Sequence, residues 1–201
     1  MPIRSHAHMR AVASARALPL GAGGLPLLAI AAAAFAVQQG AIRLLPAAQG
    51  YEALRQAAFL VTTAAVLYVA LRLRTLIGAW LVAIGIVLNC VPMLAHGGTM
   101  PVAWETVSSS GAFPEITEQM LGKQLAGSKD VLLMRDEIRF EWLSDRYYVD
   151  PPIYRPNIYS LGDFVIFGGV ALAAVECLLW AVRARLPGTS RRTVHRPVMV
   201  E

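Results

Sequence analysis

Residues 88–102 read Leu-Asn-Cys-Val-Pro-Met-Leu-Ala-His-Gly-Gly-Thr-Met-Pro-Val. This stretch is the end of an apolar helix, a glycine break, and the entry to the one long polar segment of the chain. Gly97 and Gly98 fit the left-handed positions that end a helix, and Pro101 directs the exit. Upstream of the break the chain reads as membrane. From Gly97 to Tyr159 it reads as a water-facing insert, and from Ser160 it returns to the membrane.

The composition agrees with this division. Of 201 residues, 56% are hydrophobic and 15% are charged, against about 25% charged in an ordinary soluble domain. The net charge of +5 does not point to nucleic acid, because of where the charges lie. Arg4, Arg10 and Arg16 stand at the start, Arg72 and Arg74 in a tight turn, and Arg183, Arg185, Arg191, Arg192 and Arg196 at the end. Only Glu201 opposes them in those places. Basic residues beside apolar spans follow the positive-inside rule. Cys90 and Cys177 both fall in apolar spans, so no disulfide framework holds the insert.

Four spans are expected, at about 25–45, 54–71, 76–95 and 160–183. Basic tails cover 1–24 and 184–201. The first span is the least regular, since Gln38, Gln39 and Arg43 interrupt it; taken to Leu45 it reaches about 31 Å, enough to cross. A second reading stays open there. A basic start, a short apolar core and Ala34-Phe35-Ala36 also resemble a secretory signal peptide with a small-residue cleavage site. The charge rule puts both termini and the Arg72–Thr75 turn in the cytoplasm, and 47–53 and 97–159 outside.

Spacing within the spans predicts their packing. Gly78, Gly85 and Asn89 share one helix face, and Gly169, Ala173 and Glu176 share another. Small residues let helices approach closely, and a polar residue there can bond across, so these two faces are expected to meet. Ser160-Leu-Gly-Asp163 has the spacing of a capping box. In the insert, Pro101–Val107 and Glu115–Leu121 read as short helices. Asp130–Leu143 reads as a helix or a hairpin. Trp142, Tyr147, Tyr148, Tyr154 and Tyr159 suit a membrane interface.

Chemistry-bearing residues are few. Glu176 is the acid well inside a span; about 9 Å from its inner end, it is placed to meet Arg72 or Arg183 or to snorkel. Asn89 lies roughly 10 Å away in depth, so the two do not form one site. Asn89 reads as interhelical glue or as a partner for backbone freed by Pro92. The alternative is a substrate ligand in an outward-facing polar cavity with Arg43, Gln38 and Gln39. His96 is alone at a helix end, a weak basis for a metal. Asp136, Glu137, Glu141 and Asp145 alternate with Arg135, Arg139 and Arg146 in the manner of a solvated surface.

The segments Leu88-Asn89, Gly97-Gly98-x-Met100-Pro101-Val102 and Ser160-x-Gly162-Asp163 together resemble a family of small bacterial multi-pass membrane proteins known only as a domain of unknown function. Leu143-Ser144-Asp145 is similar to that family's Leu-Gly-Asp step. The likeness spans roughly Leu25 to Val182 and departs at His96, where the family has Asn. It implies a membrane location and an ordered insert, and it implies no activity.

The resulting expectation is an all-α integral membrane protein: a four-helix bundle with a partly ordered external loop between the third and fourth helices. It takes no cofactor and no nucleic acid. Its partners are the lipid bilayer and another membrane or external protein. A non-enzymatic role is favoured over a small transporter or intramembrane enzyme built around Asn89.

Overall fold

The computed structural model describes residues 21–44, 51–125, 128–152 and 155–185. The two basic tails over 1–20 and 186–201, Tyr154 and the side chain of Arg43 lie outside the described residues. Among the described residues there are five α-helices: α1 (Gly21–Leu44), α2 (Glu52–Arg72), α3 (Ile77–Ala95), α4 (Trp104–Ser110) and α5 (Leu161–Arg185). Within α2, α3 and α5 the stretches Ala53–Arg72, Ile77–Ala95 and Leu161–Arg183 are long and apolar enough to cross a membrane. In α1 the apolar stretch is shorter, Pro26–Ala41. Among the described residues, three helices therefore meet the requirement of length and composition, where four spans were expected.

α3 and α5 form the tightest pair, and α2 packs between α1 and α3. The expected faces do meet. A Cβ built on Gly78 would lie 2.7 Å from the Ala173 Cα, and one on Gly169 would lie 2.7 Å from the Val82 nitrogen. A Cβ on Gly85 would lie 2.7 Å from the Gly162 carbonyl oxygen. The two backbones thus touch along most of their length, which only glycine permits at these points. Gly168, one residue away on α5, has open space around it.

The insert is not all-α. Two small sheets overturn that expectation. β1 (Met100–Ala103) pairs in parallel with β2 (Asp130–Leu133), and β3 (Tyr147–Val149) pairs antiparallel with β4 (Asn157–Tyr159). The expected helix over Pro101–Val107 is half strand: β1 leads directly into α4. The ambiguous Asp130–Leu143 is neither one helix nor a hairpin. It is β2 followed by 3₁₀ turns at Arg135–Glu137 and Glu141–Leu143. At Glu115–Leu121 only a 3₁₀ turn, Glu118–Met120, forms. The physical reason is pairing. β1 has β2 on one side and Asp145 bridged on the other, so long-range partners satisfy backbone that a local helix would otherwise have satisfied. Pro101 has no N–H, but its carbonyl accepts the Asp145 N–H at 3.2 Å.

Beneath the sheets lies a separate apolar core of Val102, Val107, Leu125, Leu132 and Ile158, covered by Trp104, Phe113 and Ile116. The insert is therefore a folded cap at one end of the long helices. Replacing Gly78 by Ala is expected to cost about 1–3 kcal/mol through overpacking against α5. Gly168→Ala, with nothing nearby, is expected to be neutral or stabilising by roughly 0.5–1 kcal/mol. Unfolding of both variants in the same detergent micelle measures the contrast.

Candidate functional site

α3 ends as its sequence requires. The Gly98 N–H donates to the Met93 carbonyl at 2.8 Å, and Gly97 and Gly98 have φ of 66° and 92°. This is the six-residue closure of a Schellman motif, which satisfies an end carbonyl and turns the chain into β1. His96 is held on both sides of its ring. Its Nδ1 lies 2.8 Å from the Pro92 carbonyl, and its Nε2 accepts the Arg139 N–H at 3.2 Å. A carbonyl can only accept and an amide N–H can only donate. In this arrangement Nδ1 faces an acceptor and Nε2 faces a donor. His96 joins the helix end to the cap and has no free nitrogen for a metal.

α5 begins with a reciprocal capping box. The Asp163 N–H donates to Ser160 Oγ at 3.0 Å, and the Ser160 N–H donates to Asp163 Oδ2 at 3.1 Å. Asn89 of α3 completes the set. Its Nδ2 donates to Asp163 Oδ1 at 2.7 Å, and its Oδ1 accepts from Ser160 Oγ at 2.7 Å. Gly162 sits against the carboxamide so closely that any Cβ would overlap it. Asn89 is only 9% exposed and Ser160 is fully buried. The bond to the carboxylate is the stronger kind, about 1.5–3 kcal/mol. Asn89 thus bonds α3 to the start of α5, and among the described residues its side chain makes no bond to the backbone near Pro92.

A charged cluster of the cap lies near this clamp. Lys129 Nζ bonds Asp130 Oδ1 and Asp145 Oδ2, each at 3.1 Å. Ser128 Oγ also bonds Asp130, and the Ser128 carbonyl accepts from Gln124 Nε2 at 3.0 Å. Gln124 Oε1 in turn accepts from Arg55 Nη2 of α2 at 3.0 Å. Asp145 is 2% exposed and Arg55 is 5% exposed. Asp145 therefore departs from the solvated surface expected for it. The bridge to Val102 draws it under the cap, while Glu141 takes the surface pairing with Arg135 at 3.0 Å.

Burial pushes the Asp145 carboxyl well above its ordinary 3.8; the field of Asp130 and Asp163 adds to this and Lys129 opposes it. Burial also works against the Lys129 charge. The surrounding Asp130, Asp145 and Asp163 outweigh it and hold the ammonium above its ordinary range.

Glu176 belongs to neither group. It lies at the far end of the α3–α5 contact, where its two oxygens accept the backbone N–H groups of Ile77 and Gly78 at 3.0 Å each. It caps the free N-terminus of α3, in place of the expected meeting with Arg72 or Arg183. Asn89 and Glu176 thus hold opposite ends of one helix pair.

The structure therefore gathers Asn89, Ser160, Gly162 and Asp163 into one clamp. Met100 and Pro101 are buried in the adjoining strand, and His96, Gly97 and Gly98 form the turn beside it. Arg55, Gln124, Ser128, Lys129 and Asp130 were not legible as members. The available signal was a charge in the first turn of an apolar span, at Leu54-Arg55-Gln56. Among the described residues there is no group of three or more His, Cys, Asp or Glu able to hold a metal.

A family model described as a family of unknown function, DUF5317, matches residues 25–175. The chain belongs to this family. Comparison with curated proteins and with solved structures found no match. Three helices long and apolar enough to span a bilayer mark it as a membrane protein.

Asn89→Ala is expected to cost about 1–3 kcal/mol, because Ser160 Oγ and Asp163 Oδ1 lose their partner in a buried setting. Unfolding in detergent should show it. A raised carboxyl pKa means that the folded chain keeps a proton which the unfolded chain has released. The stability held by Asp145 is present at low pH and falls as pH rises above 3.8 through the folded value. Asp145→Asn is expected to flatten that part of the stability–pH curve, measured by thermal unfolding across a pH series.

Proposed function

We propose that the protein is a non-enzymatic scaffold or accessory subunit of a bacterial inner membrane, presenting its cap outside the cell to a partner protein or to lipid. In this reading α1 crosses the bilayer as a fourth helix, and both termini face the cytoplasm. Charge supports the orientation. Arg72 and Arg74 join α2 to α3 at the end away from the cap, and Arg183 lies near the end of α5. The cap segment carries nine acidic residues against six basic ones. Such a bias supports a cytoplasmic position for the arginines.

One observation carries the non-enzymatic reading: the side chains best placed for chemistry bond one another. Both amide atoms of Asn89, the Ser160 hydroxyl and both Asp163 oxygens are engaged within the clamp. A transporter or intramembrane enzyme working through Asn89 lacks a free polar group there. What remains exposed and chemically varied is the cap surface.

Affinity purification of the full chain in mild detergent, with limited proteolysis of the cap, tests the proposal. A stoichiometric partner or a retained lipid, together with a protease-resistant cap, is the expected result. A cap that is cleaved readily in a chain that purifies alone would end this reading. A tag in the cap should also react with impermeant reagent outside intact spheroplasts.

A further inference from the structure

We infer that the segment Arg139–Trp142 is a wedge that seats the cap in the headgroup–acyl boundary of the adjacent leaflet. The inference rests on the membrane placement proposed above and adds the residues that make the contact.

Phe140 is the non-glycine residue with positive φ among the described residues, at φ 61° and ψ 43°. That region is unfavourable for a bulky L-residue, and such outliers persist only where their surroundings hold them. Here both flanks are held. The Arg139 N–H donates to His96 Nε2, and the Phe140 carbonyl accepts the Leu143 N–H at 2.8 Å. Ile138 and Leu143 are buried on either side. The left-handed turn between them turns two large apolar groups outward: Phe140 is 49% exposed and Trp142 56%. A residue that only had to make the turn would be glycine, as at Gly97, Gly111 and Gly122. A strained, exposed phenylalanine beside an exposed tryptophan needs an apolar environment.

Position identifies that environment. The Glu141–Leu143 turn packs on α3 and α5, at the end where α3 stops. Leu94, two residues before the His96 anchor, is 75% exposed. The turn that carries Phe140 and Trp142 is thus anchored on the end of a span whose exposed apolar residues, in the placement proposed above, face acyl chains. Charge fits as well. Arg135 and Arg146 are drawn to Glu141, whereas the exposed Arg139 has no ion pair among the described residues. A free guanidinium next to two aromatic rings matches lipid phosphate above and hydrocarbon below.

The test uses the full chain in vesicles of phosphatidylcholine and phosphatidylglycerol with brominated acyl chains. Subtracting the emission of Trp142→Phe from wild type gives the Trp142 signal. Trp80→Phe does the same for Trp80, which lies within α3 and is exposed. Bromolipid is expected to quench Trp142 roughly twofold or more, as an interfacial indole should be, while aqueous iodide has little effect. Trp142 quenched by iodide alone, with Trp80 still quenched by bromolipid, overturns the wedge and leaves the membrane placement standing. Neither residue quenched by bromolipid overturns both. Shielding of Trp142 from both quenchers by a co-purified protein would make the surface a protein contact and also overturn the wedge. Phe140→Gly supplies an independent readout, because glycine takes the left-handed turn freely. It should fold in detergent as wild type does, yet raise hydrogen exchange over 135–143 several-fold in vesicles. Unchanged exchange there overturns the proposal.

Discussion

The rest of the molecule depends on the contact between α3 and α5. In a bilayer there is no hydrophobic gain in bringing two apolar helices together. Close packing and interhelical hydrogen bonds must do it. Gly78, Gly85, Gly162 and Gly169 bring the backbones into contact. The pair is then held at both ends by carboxylates. Glu176 caps α3 from the side of α5, and Asp163, with Ser160, binds Asn89 where the cap begins. Glu176 accepts two peptide N–H groups, and Asp163 accepts one together with the Asn89 amide, which makes an anion tolerable there.

The cap is positioned by that same clamp. Asn89 lies two turns before the Schellman closure that sends the chain into β1, and Ser160 directly follows β4. The strands enter and leave beside the polar knot. Around it the cap buries Asp145 and Arg55 and half-buries Lys129, yet among the described residues Asp145 Oδ1 and two nitrogens of Arg55 find no partner. A buried ion layer with loose ends is weak evidence for stability. The cohesion of the cap comes from its apolar core around Val102 and Leu132, and Arg55 ties it to α2 through Gln124.

Much of this was legible in residue spacing. Helical periodicity placed Gly78, Gly85 and Asn89 on one face and Gly169, Ala173 and Glu176 on the other. Both assignments hold, because a helix converts sequence separation directly into direction. The capping box at Ser160–Asp163 and the glycine-ended α3 were equally local. Asp145 was not legible. Its neighbours alternate in charge like a surface, and only its bridge to Val102 carries it inward. The sheets were missed for a related reason. Four-residue strands carry little periodicity, and β1 and β2 are joined only across the intervening α4 and loops.

The sequence alone determined what depends on composition and on contacts within a few residues: the apolar spans, their small-residue faces, the helix ends and the polar insert. It also determined which polar residues were candidates. The tertiary structure decided how those candidates are used. Asn89 was a possible ligand until Ser160 and Asp163, more than seventy residues away, were seen to occupy both of its amide atoms. Glu176 was a possible partner of Arg72 or Arg183 until it was found accepting the backbone N–H groups of Ile77 and Gly78. A hydrogen-bonding group reveals its role only through its partner, and these partners are remote in the chain.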